Sequence, residues 1–487
     1  MACTTVLVGR KATHDNSTMI ARTDDGSFNV KYTTYVPAEK QPKRYRSVLS
    51  HAVVDLPETP MGYTKCSNVV LTEGEWPATG INEANVGMTA TETITTNPRV
   101  LAADPMVRLR KAKSRREKEI PGGIGEEDFV ILVLPYIRTA REGVLRLGKL
   151  LEKYGTYESN GIAFNDENEC WWMETIGGHH WIARRVPDEV VVLAPNQFAL
   201  DHFDLDDALG EGKEFLCSAD LRSFIEDNRL DCNADGTFNP RNVFGSHTDM
   251  DHIYNTPRAW FMGRYLTPNT FKWDGPDADF GPESDDLPWC VEPERLVSIE
   301  DVEYLLSAHY QGTDYDPYRN TDTGKRGMYR SIGINRTGVT SICQIRSGVP
   351  DALKGVEWIC YGSTTFAPFV PLYPAAKRVP AYLSDVKAEV SSENLYWASR
   401  LIAALADPHF ADCRQSVDRY LYGVTVEARR IMHEAEAKYE KIGDISVLIR
   451  ANEDICKAAK EKTNAALGTI LHTASVKMKN GYKLSDN

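Results

Sequence analysis

Met1-Ala2-Cys3-Thr4-Thr5-Val6-Leu7-Val8-Gly9 opens the chain, and Thr18-Met19-Ile20-Ala21-Arg22-Thr23-Asp24-Asp25-Gly26 follows within ten residues. The first stretch is apolar and β-branched from Thr4 to Val8 and reads as a strand; the second reads as its partner. His14-Asp15-Asn16-Ser17 between them is a cluster of turn formers, so the two make a hairpin. That hairpin brings a cation, Arg22, and a carboxylate, Asp24 or Asp25, back beside Cys3. If Met1 and Ala2 are removed, Cys3 carries both a thiol and an α-amine. The amine, with an ordinary pKa of roughly 7.7–8, accepts a proton near neutral pH without a histidine. A nucleophile with its own base is one recognised route to an activated thiol. A cysteine near the start of a chain is otherwise a small buried hydrophobe.

Working outward, strands are expected at 3–9, 18–22, 68–71, 161–165, 170–175, 181–185, 190–194, 331–334, 341–345 and 357–362. Short polar turns such as Asn165-Asp166-Glu167-Asn168 and Gly177-Gly178 make antiparallel hairpins of several of them. Helices are expected at 126–136 and 141–154, the second with Val144, Leu145, Leu147, Leu150 and Leu151 at helical spacing. The end of the chain changes character. Residues 394–406, 413–442 and 445–467 are rich in Ala, Glu, Lys and Leu, with Gly443-Asp444 between the last two. Strands first and helices appended imply an α+β fold of two antiparallel sheets covered by helices. The domain boundaries expected are 3–385 for the main body and 386–487 for a helical segment packed on it.

Composition excludes several functions. The formal net charge of 487 residues is −13, which argues against a nucleic-acid partner and against binding an anionic membrane by charge. No apolar run reaches the length of a membrane span, and the N-terminus lacks signal-peptide regions. The ten cysteines are scattered singly, the pattern of reduced thiols, so a cytoplasmic location is expected.

Four further pieces carry candidate chemistry. Gly80-Ile81-Asn82-Glu83-Ala84-Asn85-Val86-Gly87 is a loop leading into an alternating strand; Asn82 is either a turn residue or an amide facing substrate. Ala194-Pro195-Asn196-Gln197 follows a strand, where Asn196 is either a cap or an oxyanion donor. Arg258, in Thr256-Pro257-Arg258-Ala259-Trp260, is either a surface residue or a clamp near the nucleophile. His179 and His180 follow Gly177-Gly178. Adjacent strand residues point to opposite faces, so one His lining a pocket is expected rather than a metal site. No metal or other cofactor is expected: there is no HExxH, no P-loop and no GxGxxG after a strand.

Taken together, the opening hairpin, Met88-Thr89-Ala90-Thr91-Glu92-Thr93, Trp172-Met173-Glu174-Thr175-Ile176-Gly177-Gly178-His179-His180-Trp181, Pro195-Asn196-Gln197-Phe198 and Gly312-Thr313-Asp314-Tyr315-Asp316-Pro317-Tyr318 resemble the bacterial cysteine dipeptidases of the dipeptidase A type. These belong to the N-terminal nucleophile hydrolases. The resemblance implies an αββα sandwich and a homo-oligomer acting on short peptides with a free N-terminus, through a thioester on Cys3. It implies that Arg22 favours the thiolate and that Asp25, with Asp24 as competitor, orients the amine or the thiol. Asn82 corresponds to the substrate-side oxyanion group, Asn196 to the second donor and Arg258 to a distal arginine. Two alternatives stand beside it: an amidase acting on bile-salt or penicillin-V-like substrates, and a non-catalytic secernin-like protein.

Overall fold

The computed structural model describes residues 2–26, 29–114, 116–234, 236–321 and 323–478. The opening hairpin lies in the middle of the larger sheet. Strand β1 (Ala2–Val8) pairs antiparallel with β2 (Thr18–Asp25), with Val8 opposite Met19 and Cys3 opposite Asp24. On its other side β1 pairs with Val191–Ala194, and that strand with Cys290–Val291. Beyond β2 come Val339–Ile345, Gly355–Tyr361 and Val370–Leu372, giving seven strands. A second antiparallel sheet runs Phe215–Cys217, Trp181–Val186, Cys170–Thr175, Asn160–Asn165, Gly87–Thr93 and Thr79–Ile81.

Period-two alternation decides which core each residue enters. Leu7 and Ile20 point between the sheets and meet Ala163, Trp172 and Ile182. Val6, Val8, Met19 and Ala21 point the other way, into a core with the helices Thr256–Leu266 and Ile299–Leu306 and the long pair Phe410–Ile442 and Ser446–Val476. The outer face of the second sheet, with Phe164, Trp171 and Met173, packs on Phe129–Val133 and Ala140–Tyr154. The layers are therefore αββα, the order that the resemblance implies. Trp171 and Trp172, adjacent and both fully buried, supply one large side chain to each core. At 150–250 Å² apiece, each burial stabilises the fold by about 4–6 kcal/mol, and truncating either to alanine costs about 3–5 kcal/mol.

The helices follow from local signals. Ala140–Tyr154 starts at Thr139, whose side chain accepts from Glu142 N, and ends at Gly155 with φ 68°. Its buried stripe is Val144, Leu147 and Leu151, while Leu145 faces out. Gly443, at φ 64°, ends the first long helix, and the Asp444 carboxylate accepts from Ser446 N at 2.9 Å to start the second. The second helix runs nine residues past the expected end because Gly468 is the only breaker in its path.

Two expected strands are absent. At 68–71 the chain leaves its strand: Tyr63–Asn68 pairs with Lys31–Val36, and Val70 and Leu71 are half-exposed in the following turn. At 331–334 the apolar run is buried but enters no ladder; Tyr310 Oη donates to Arg330 O and Gly333 N to Ala308 O. Burial without alternation looks like a strand in sequence and is packed loop here.

Candidate active site

Cys3, Thr5 and Leu7 share a face of β1, and their register partners Asp24, Arg22 and Ile20 share the same face of β2. That face looks between the sheets. There Arg22 Nη1 donates to Cys3 Sγ at 3.0 Å. The guanidinium is held by three carbonyls of the facing sheet region: Nη1 bonds Thr91 O, and Nη2 bonds Ala90 O at 2.8 Å and Ala78 O at 3.5 Å. Glu126 Oε1 lies 3.4 Å from Nη1. Cys3 is fully buried in the uncleaved chain, and burial pushes its thiol up to about 12 although Arg22 opposes the shift; Glu126 and Asp24 add to it. Burial alone would lower the Arg22 pKa, but the neighbouring Cys3, Asp24 and Glu126 raise it. A guanidinium held this way stays charged and stays aimed.

The backbone of the nucleophile is gripped from the other side. Cys3 N donates to Asn196 Oδ1 at 2.9 Å. Arg258 Nη1 bonds Cys3 O and donates to Thr4 Oγ1 at 2.7 Å, while its Nη2 donates to Asn196 Oδ1 at 2.8 Å and to Asn255 Oδ1 at 2.9 Å. Asn196 Nδ2 donates to Thr93 O at 2.9 Å. So Asn196 presents its oxygen to the nitrogen of Cys3 and directs one N–H of its NH2 to the backbone of Thr93. Burial, then Arg330, lowers Arg258 to about 9; Glu92, buried in the field of Arg258, Arg22 and Arg330, is pushed up to about 8 by burial.

Asp24 and Asp25 separate by strand parity. Asp24 shares the Cys3 face and pairs with the buried Lys31 Nζ at 2.7 Å. Burial would raise the Asp24 carboxyl, but Lys31 and Arg22 hold it below its ordinary range. Asp25 belongs to the opposite face. It ion-pairs with Arg330 and accepts from Thr337 Oγ1 at 2.6 Å and Thr23 Oγ1 at 3.0 Å. Thr23 Oγ1 in turn accepts from Thr4 N at 3.0 Å, so Asp25 bears on the nucleophile strand through Thr23.

The remaining expected residues lie elsewhere. Asn82 donates to Leu134 O at 2.8 Å and Ile137 O at 2.7 Å and accepts from Ala84 N and Val86 N, all 3.0 Å or less. Those four bonds use its amide as a clamp for the loop, and none of the partners belongs to the Cys3 cluster. His179 and His180 do not split between two faces, because they sit in the turn before the strand begins at Trp181. Both Nδ1 atoms meet Asp104, at 3.0 and 2.7 Å, and His180 stacks on Phe224 with ring centroids 3.8 Å apart. No group of three or more His, Cys, Asp or Glu able to hold a metal occurs among the described residues.

Sequence reasoning missed Lys31, Glu126, Asn255 and Arg330. Each lies outside the hairpin and reaches the site only through tertiary packing. The one signal was arithmetic: two adjacent carboxylates, if buried, require cations beyond Arg22, and Lys31 and Arg330 are those cations.

Known proteins supply the rest. The chain belongs to peptidase family C69, whose model matches residues 2–422. A protein named "Dipeptidase" from Bifidobacterium longum (strain NCC 2705) is 49% identical over the full length of both chains. A "Probable dipeptidase A" of Streptococcus pyogenes serotype M3 (strain SSI-1) is 47% identical, also over the full length of both. Among solved structures, the C2A mutant of the conjugated bile acid hydrolase from Clostridium perfringens aligns over 44% of this chain and 65% of its own, at 14% identity and a TM-score of 0.20. No helix among the described residues is long and apolar enough to cross a membrane.

Proposed function

We propose that this peptidase is a cysteine dipeptidase whose nucleophile is Cys3, exposed as an N-terminal residue by cleavage of the Ala2–Cys3 bond. The observation that carries the reading is the double grip on Cys3: Arg22 Nη1 at 3.0 Å from Sγ and Asn196 Oδ1 at 2.9 Å from the nitrogen. The names of the full-length relatives support the substrate class. In the uncleaved chain the nitrogen is an amide with no basicity, and the sealed thiol is inert at neutral pH. Cleavage turns that nitrogen into an amine, held by Asn196 as the base. The amine takes the thiol proton, Sγ attacks the peptide carbonyl, and Arg22 stabilises the sulfur charge. The proton passes to the leaving amino acid. Water, deprotonated by the same amine, then hydrolyses the thioester.

The test is the intact mass and N-terminal sequence of the purified protein, followed by dipeptide hydrolysis with wild type and Cys3→Ala. A chain beginning at Cys3, active only when Cys3 is present, is the expected result. Hydrolysis undiminished in Cys3→Ala overturns the assignment of the nucleophile.

A further inference from the structure

A dipeptide enters this site as a zwitterion, and its ammonium group must come to rest beside buried guanidinium groups. Arg22, Arg258 and Arg330 all bear on the Cys3 strand. An ammonium there is repelled unless a carboxylate faces it. Two carboxylates of the cluster are already taken by other cations: Asp24 by Lys31 and Asp25 by Arg330. Three others remain: Glu92, fully buried among the same three arginines, and Glu126 and Glu158. Glu126 is only 2% exposed; its Oε1 faces Arg22, and its Oε2 is buried with no hydrogen-bond partner among the described residues. Glu158 is partly exposed, accepts from Glu126 N at 2.8 Å, and makes no ion pair among the described residues. The neighbouring Tyr157 packs its ring against Gly125, and its hydroxyl is buried with no hydrogen-bond partner among the described residues.

The spacing fits an acyl group on the sulfur. Glu126 Oε1 lies within 6.4 Å of Sγ, the sum of the 3.0 Å and 3.4 Å contacts that Arg22 makes to the two. In an aminoacyl thioester the α-nitrogen is about 3–4 Å from the sulfur, from ordinary bond lengths. With the carboxylate no farther than that from the sulfur, the α-nitrogen of the acyl group comes within reach of a charge-assisted hydrogen bond to Glu126 beside Arg22. We propose that Glu126 and Glu158 seat the α-ammonium of the substrate, and so restrict the enzyme to peptides with a free N-terminus. The inference rests on Cys3 as the acylated residue.

The experiment compares L-alanyl-L-alanine with propionyl-L-alanine, which has the same acyl skeleton without the amine, on the processed wild type and on Glu158→Gln and Glu126→Gln. Wild type is expected to favour the dipeptide by about a hundredfold in kcat/KM, and each variant to cut that ratio about tenfold or more; any effect that Glu126→Gln exerts through Arg22 acts on both substrates and cancels in the ratio. A loss shared equally by both substrates, or an unchanged ratio in folded Glu158→Gln, overturns the assignment. Glu158→Gln guards against a Glu126 variant that fails to fold, since Glu158 lies nearer the surface. If wild type hydrolyses the dipeptide in a Cys3-dependent way and the ratio survives both changes, only the ammonium seat is wrong. If wild type hydrolyses no dipeptide, both the seat and the proposed function fall.

Discussion

Replacing Arg22 by glutamine removes the cation that donates to the sulfur of the proposed nucleophile. At 3.0 Å from Sγ a full charge at an effective dielectric of 20 is worth about 5.5 kcal/mol. Glu126, 3.4 Å from the same nitrogen, offsets part of that field, so the 1.5–3 kcal/mol of a charge-assisted hydrogen bond is the better measure. Divided by 1.36 kcal/mol per pKa unit, it predicts a rise of about 1–2 units in the thiol pKa of the processed enzyme. The assay is the rate of Cys3 alkylation by iodoacetamide against pH in the processed enzyme, resolved by peptide mass spectrometry because the exposed Cys232 reacts as well. The rate profile moves to higher pH by that amount, and kcat/KM at neutral pH falls about 10- to 100-fold. Arg22→Lys, which keeps the charge but not the fork onto Ala90 O and Thr91 O, falls between. An unshifted alkylation profile in a variant with a wild-type unfolding curve refutes the argument.

Three further outcomes follow from the same geometry. Asn196→Ala removes the acceptor that orients the Cys3 nitrogen, so kcat falls about 10- to 100-fold while KM changes little; steady-state kinetics that show a pure KM effect contradict the role. Lys31→Met leaves Asp24 buried without its partner and costs about 3–5 kcal/mol in urea unfolding; adding Asp24→Asn recovers part of it, and strictly additive losses refute the pairing. Burial raises Glu357 from its ordinary 4.5 to about 7 and Glu303 to about 8. The folded chain therefore holds protons that the unfolded chain has released, so stability falls as pH rises from about 4.5 to 8 and is flat above. Thermal midpoints from pH 5 to 8 decline in wild type and decline less in Glu357→Gln; a midpoint that rises over this window is the contrary result.

The hairpin was legible because a continuous apolar, β-branched run and a four-residue turn agree over residues 3 to 25, and the register that sets Arg22 opposite Thr5 puts it on the same face as Cys3. The choice between Asp24 and Asp25 was not legible from composition, though parity separates them once the register is known. Arg258 and Asn196 were found by motif, but the direction of the Asn196 amide is set by Arg258 Nη2, 62 residues away. Glu126 gave no signal, since an acidic run before a helix reads equally as a solvated cap, and Glu158 gave none, since a single acidic residue before a strand reads as a solvated loop. The misplaced strand at 331–334 has the opposite cause: its burial is real, and only the ladder is missing.

The central position of the opening hairpin has a consequence for synthesis. β1 waits for a neighbour at Val191–Ala194 and β2 for one at Val339–Ile345. At 5–20 residues per second, β2 leaves the ribosome about 16–65 s before its second partner does. Until Val191–Ala194 is made the hairpin carries open edges on both sides, and from then until Val339–Ile345 is made the β2 edge stays open, a template for pairing with other nascent chains. Yield should therefore depend on translation speed and on holding chaperones, and a slowed ribosome between residues 25 and 339 should lower the soluble fraction without changing the stability of the protein that does fold.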